Sequence, residues 1–239
     1  MNRINGVLAL HTANRKDLLL YPAISIAGAF LVVIAIGVAL NVGFADDPEV
    51  INGMSLGMQW NGAIFALLGI AFGVGVTMMT QYFPLSMGLG FTRREYMLGS
   101  LLFVAIQSAV IAVFITIMKV IEVATNGFGL NVSMFNVVYV SRGEWWETLV
   151  QSFLLLFLGT VAWAFFGTVW NRWGRNGLLT MAVIGILLSG IIVIVAFANP
   201  EMLASIASMA WIGWIAVTVV VTIITTVAWW VLARRAQVR

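Results

Sequence analysis

The chain has 239 residues, of which 62% are hydrophobic and 9% charged, with a mean hydropathy of +1.05. That composition excludes an ordinary soluble domain. A net charge of +3 gives no ground for a nucleic-acid partner, and the absence of cysteine excludes disulfides, thiolate metal sites and cysteine nucleophiles.

Charges are so sparse that six charge-free intervals stand out, at 18–45, 50–92, 96–118, 148–171, 176–200 and 202–233. A bilayer core needs about 20 mostly apolar residues in a helix, and these runs are continuous, without the alternation of a barrel strand. The sequence therefore predicts an all-α integral membrane protein, one domain over 1–239, with six spans at about 19–42, 60–80, 96–119, 148–169, 177–198 and 211–233.

Ahead of the first span, Ile4, Val7, Leu8 and His11 share a helical face, so residues 2–16 are expected to lie as a helix along the membrane surface. The first apolar run follows Asn14, Arg15, Lys16 and Asp17 and lacks a small-residue cleavage pattern after it, so it is expected to remain as a span. In span two, Gly69 and Gly73 have G-x-x-x-G spacing with Gly75 beside them, which predicts close approach of another helix. Thr77 and Thr80 on that span, with Thr180 and Ser189 on span five, are candidates for a pathway taking an amphipathic or lipid-like substrate, although packing between helices also uses such residues.

The connection after span two is the most informative segment. Pro84 suits the first turn of a short helix, Gly88 and Gly90 suit its end, and Thr92 with Glu95 has capping-box spacing for the start of span three. This predicts a short helix on the cytoplasmic face, with Leu85, Met87, Leu89 and Phe91 as apolar residues seeking a protein partner. Lys119 and Glu122, at the outer end of span three, are read as a capped and solvated helix end. The outer segment 123–146 contains Gly127, Gly129 and a polar and aromatic run, which suggests a loop with packed structure of its own. Pro200 is expected to start a short helical piece through about Ala210.

With both ends inside, ten of the twelve basic residues fall on inner segments: Arg3, Arg15, Lys16, Arg93, Arg94, Arg172, Arg175, Arg234, Arg235 and Arg239. Only Lys119 and Arg142 fall outside, which orients a multi-pass protein of the cell membrane with cytoplasmic termini. Trp60, Trp145, Trp146, Trp211 and Trp214 near outer ends, and Trp170, Trp173, Trp229 and Trp230 near inner ends, agree with interfacial anchoring.

The chemistry-bearing residues mostly argue by elimination. The single histidine, His11, precedes the first span and is read as exposed or interfacial, so a base for a membrane serine protease is missing. No His/Asp/Glu cluster has metal-ligand spacing. The middle of every span is uncharged, which disfavours ion-coupled secondary transport. Neither lysine follows a glycine-rich turn, so ATP is not expected to bind this chain.

The stretch Phe83-Pro-Leu-Ser-Met-Gly-Leu-Gly-Phe-Thr-Arg-Arg-Glu-Tyr-Met-Leu-Gly99 resembles the F-P-x-x-x-x-x-G-x-[TS]-R-[RK]-x-[FY]-x-x-G segment of bacterial ABC-2-type transporter permeases, between their second and third spans. The resemblance implies a coupling helix docking on a separately encoded ATPase, which would bind ATP and Mg, and a second permease chain paired across a central pathway. Carried over by position, Phe83, Pro84, Leu85, Ser86, Met87, Gly88, Leu89 and Gly90 would dock, and Thr92, Arg93, Arg94 and Glu95 would form the exit into span three. It implies an exporter, homodimeric or one half of a heterodimer. The rivals are a membrane-embedded lipid-binding enzyme or accessory factor, and a secondary transporter.

The absence of native cysteine makes the topology directly testable. A single cysteine placed near Gly129 is expected to label from outside the cell and one near Arg172 only after permeabilisation. The opposite pattern in a membrane-impermeant maleimide assay would reverse the orientation.

Overall fold

The computed structural model describes residues 3–13, 20–44, 48–138, 140, 143–201, 205 and 211–235. Among these the protein is all-helical: α1 (Arg3–Ala13), α2 (Tyr21–Gly43), α3 (Pro48–Met58), α4 (Ala66–Thr77), α5 (Phe83–Gly88), α6 (Arg93–Ala124), α7 (Trp145–Ala198) and α8 (Trp211–Ala233). Five stretches are long and apolar enough to cross a membrane. The helical piece expected from Pro200 through about Ala210 falls largely outside the described residues.

α7 is 54 residues long, about twice what a bilayer needs, and it is broken at Gly174 (φ 63°, ψ −150°), a conformation open to glycine alone. The chain reverses there. A Cβ on Gly177 would lie 3.2 Å from Val169 Cγ1, whereas eight residues of straight helix would separate the two by about 12 Å. The arms 145–173 and 175–198 thus fold back beside one another.

The arm 145–173 is the packing centre. Its small and hydroxyl residues lie buried along the contact lines: Thr160 and Ala164 against α4, Thr148 against α6, and Thr168 against α8, where Trp229 Nε1 donates to Thr168 Oγ1 at 3.2 Å. Thr160 and Thr168 also turn their hydroxyls back to the carbonyls of Leu156 and Ala164, which satisfies them without a partner helix. The close approach expected at Gly69 and Gly73 is found at Gly75 instead. A Cβ there would come 2.5 Å from the Thr160 carbonyl oxygen and 2.7 Å from Trp163 Cβ, while Gly69 and Gly73 meet nothing within 4 Å. The reason is angular: two residues beyond Gly73 is about 200° round the helix, so Gly75 faces the 145–173 arm when the other two point to the opposite side.

Two clusters fill the interior. One gathers Val7, Met79, Phe83, Tyr96 and Trp229 at the end that carries α1 and the α5–α6 connection. The other gathers Val33, Ile64, Ile115, Val132, Met134 and Phe135 at the opposite end, where residues 127–138 are inserted between helices. Residues 127–138 of the segment 123–146 are packed. Lys119 and Glu122, however, do not form a solvated helix end: both are buried. The Glu122 carboxylate accepts from the backbone N–H groups of Met134, Phe135 and Asn136 at 2.9, 2.8 and 3.0 Å, and Lys119 Nζ donates to the Gly143 carbonyl and Thr148 Oγ1 at 2.8 and 2.7 Å. Buried backbone donors without helix partners demand acceptors, and one carboxylate supplies three. The side-chain amide of Asn61, donating to the Ser133 carbonyl, and that of Asn41, donating to Leu130 O at 2.8 Å, fasten the same segment to the neighbouring helices.

Gly75→Val should lower stability by about 1–3 kcal/mol, since the obstructing atoms belong to another helix's backbone. Gly69→Ala and Gly73→Ala should shift it by under about 0.5 kcal/mol, having open space to enter. Thermal unfolding in detergent compares the three; equal effects would contradict the packing described.

Candidate functional site

The α5–α6 elbow begins inside the second apolar helix. Pro84 has no N–H, and its ring would strike the carbonyl four residues earlier in a regular α-helix. The helix widens into a π turn over Met78–Tyr82 and runs on into α5, with Phe83 N–H bonded to Met78 O. Asn171 Nδ2 donates at 2.5 Å to Met79 O, the carbonyl that Pro84 leaves without a π-turn donor, and the Tyr96 hydroxyl adds a second bond to Met78 O. The short helix is therefore a continuation of span two through a π turn, which corrects the separate surface helix expected from Pro84.

Its end is a Schellman motif: Gly90 at φ +82°, with Phe91 N–H to Ser86 O and Gly90 N–H to Met87 O, both at 3.1 Å. Thr92 and Glu95 then form the capping box that the spacing predicts, with Glu95 N–H to Thr92 Oγ1 at 3.2 Å and Thr92 N–H to Glu95 Oε2 at 2.8 Å. Two consecutive stop-and-start signals make a turn of few residues and little freedom.

Phe83 and Ser86 are buried, and the Phe83 ring meets Tyr96 edge-on at 5.3 Å. Met87 and Phe91 pack against the same core, so they are not the free apolar residues expected. Leu85 and Leu89 are, at 49% and 61% exposure, with Gly88 and Gly90 exposed beside them. Arg93 Nη1 donates to Arg234 O at 2.5 Å, tying the elbow to the end of α8, while Arg94 is exposed. Glu95 lies 3.5 Å from Arg3 of α1, an exposed pair of small energetic weight. These contacts bring α1, the elbow, the 170–176 turn and the end of α8 to one end of the bundle.

Beside the elbow lies a cavity of about 570 Å³ between α1, α2, the α4 region and α6, lined by His11, Tyr21, Ser25, Gly69, Ile70, Gly73, Val74, Thr77, Met78, Gln81, Tyr82 and Phe103. Gly69 and Gly73 keep it open by lacking side chains. Of the four pathway candidates only Thr77 reaches it. Thr80 turns its hydroxyl to Val76 O at 2.9 Å; Thr180 lines a different groove, between the arms of α7 and α8; Ser189 is exposed and bonds Ile186 O at 2.9 Å. Tyr21, Ser25 and Tyr82 are contributors that the sequence pattern did not mark.

His11 is neither exposed nor interfacial. It is 3% exposed, its Nε2 lies 2.9 Å from Ser100 Oγ, and its ring stacks on Phe103 at 4.8 Å and meets Tyr82 edge-on at 5.1 Å. α1 approaches α6 so closely at Gly99 that a Cβ there would sit 2.6 Å from Val7 Cβ, and this brings His11 onto the next turn. The shared face of Ile4, Val7, Leu8 and His11 was readable; that protein rather than headgroups covers it was not. Among the described residues, no group of three His, Asp or Glu side chains is placed to hold a metal ion.

Burial lowers the His11 pKa to about 4 from 6.5. With the folded pKa depressed, the unfolded chain binds the proton first, so the stability contributed by neutral His11 is present above pH 6.5. It is lost as pH falls toward 4, by an amount on the order of 3 kcal/mol, with no further loss below. Because the chain holds one histidine, a single imidazole NMR signal should report this titration, and a midpoint near 6.5 would show α1 undocked.

No protein-family model, curated protein or solved structure matches the chain.

Proposed function

We propose that the chain is the membrane-spanning permease subunit of an ATP-driven ABC transporter, working as an exporter with separate ATPase subunits that hold ATP and Mg. In this reading the chain crosses six times, through α2, the α4 region, α6, the two arms of α7, and α8. Both termini, the elbow and the 170–176 turn are cytoplasmic, by the arginine bias. A second permease chain completes the pathway.

The observation that carries the proposal is the elbow's combination of rigidity and exposed apolar surface. Leu85 and Leu89 stand out beside a turn whose backbone is locked by the Schellman motif, the capping box and the side chains of Tyr96 and Asn171. Such a turn can pass a push from a docked partner into the second and third spans, because α5 is continuous with one and α6 is the other. The resemblance over Phe83–Gly99 supports the same assignment. The cavity beside the elbow has uncharged hydroxyl, amide and aromatic walls, suited to an amphipathic substrate.

Leu85→Glu with Leu89→Glu should reduce co-purification of an ATPase, and stimulation of its hydrolysis, by at least about tenfold, while protease and labelling patterns stay unchanged. A double variant that still binds an ATPase and transports at the unmodified rate would remove the docking assignment.

A further inference from the structure

A second groove, of about 900 Å³, opens between the two arms of α7 and the end of α8. Its walls are almost entirely apolar, with Phe165, Val169, Met181 and Val231 along its length and Trp173 and Asn176 at the end beside the Gly174 reversal. The run from Phe165 to Trp173 gives it a length of about 12 Å. Gly177 and Ala228 are its small lining residues, and at Gly177 the two arms of α7 come into contact.

The chemistry of its two ends differs. Arg172 holds its guanidinium 4.5 Å from the centre of the ring of Trp173, a lining residue, which places a cation beside that end of the groove. Arg175 is exposed one residue past the reversal, and Arg234 and Arg235 are exposed just after the lining residue Leu232. Among the described residues that line the groove there is no carboxylate. The other end runs toward the apolar middle of the helices, where Ile184, Leu187 and Leu188 of the second arm are exposed.

We infer that this groove binds one anionic phospholipid, an acyl chain lying along Phe165, Val169 and Met181 and the headgroup phosphate held by Arg172 and Arg175. Guanidinium groups recognise phosphate oxygens through paired N–H donors, and basic pockets between membrane helices select acidic headgroups. The Asn176 side-chain amide adds a donor at the same level. Charge argues against a second copy of the chain as occupant. A two-fold interface through this groove would bring each arginine group against its own copy at equal depth in the membrane, with no carboxylate among the described lining residues to compensate.

The test uses the purified full-length chain in a nonionic detergent, followed by native mass spectrometry during titration with phosphatidylglycerol or phosphatidylcholine of identical acyl chains. No ATPase is present, so the result is independent of the transport assignment. The wild type should retain phosphatidylglycerol with a preference on the order of tenfold. Arg172→Gln with Arg175→Gln should bring the preference close to one, whereas Arg94→Gln, which lies elsewhere, should retain it, and Arg172→Lys with Arg175→Lys, which keeps the charges but loses the paired donors, should fall between the two. Met181→Trp, filling the groove, should lower retention of both lipids. Absence of a wild-type preference, or a preference that survives the double glutamine variant, overturns the site. So does cross-linking of cysteines introduced at Val231 between two copies in place of lipid retention.

Discussion

Hydrocarbon gives apolar helices no incentive to bury one another, since lipid tails are as apolar as leucine, so a bundle in a bilayer is held by close packing and by polar groups that need partners. The arm 145–173 supplies both. Gly75 lies directly against the Thr160 carbonyl and Trp163, Lys119 reaches Thr148, and Trp229 reaches Thr168, so α4, α6 and α8 each meet that arm at a small or hydroxyl residue. The second arm, 175–198, shows what happens without this. Its Ile, Leu and Val side chains are exposed on nearly every side, and its hydroxyls at Thr180 and Ser189 turn back on their own helix. Lipid can cover such a surface at no cost, so it needs no partner.

The ends of the bundle obey a second rule, that irregular backbone near a membrane must find its hydrogen bonds inside the protein. At one end Glu122 gathers three consecutive N–H groups, and the side-chain amides of Asn41 and Asn61 take up carbonyls of the same segment. At the other end Asn171 takes up the Met79 carbonyl that Pro84 leaves without a donor, and Tyr96 adds a second bond to Met78 O. In each case the polar side chain comes from a segment other than the backbone it serves, from a helix for Glu122, Asn41, Tyr96 and Asn171 and from the turn before α4 for Asn61. The irregular segments are thereby cross-links of the bundle rather than loose connections.

What was legible in the sequence follows from how local each cause is. The apolar helices, the capping box at Thr92 and Glu95, and the glycine stop at Gly90 depend on neighbours within a few positions, and all are present. The π turn was not legible, because Pro84 suits the start of a helix as well as the widening of one, and Asn171 and Tyr96 decide between them from elsewhere in the chain. Gly69, Gly73 and Gly75 illustrate the same limit: G-x-x-x-G marks a small face, and only the position of the 145–173 arm determines that Gly75 meets it. His11 and Glu122 looked peripheral because both precede or follow an apolar run. Burial came from segments folded over them.

The two ends of the bundle also divide labour by rigidity. Residues 127–138 fill the end away from the elbow with Met134, Phe135 and Val137, all buried. The elbow end holds the cavity beside His11 and Thr77, lined in part by the elbow's helices, and the groove beside Trp173, lined by α7 and α8. Met78 belongs to both the π turn and the cavity wall, so movement of the elbow changes the cavity directly. Asn171 couples that same turn to the helix end bordering the groove, through its bond to Met79. A displacement of the elbow therefore has a short mechanical route into each volume, whereas the packed segment 127–138 is reached through the length of α2, α6 or the 145–173 arm.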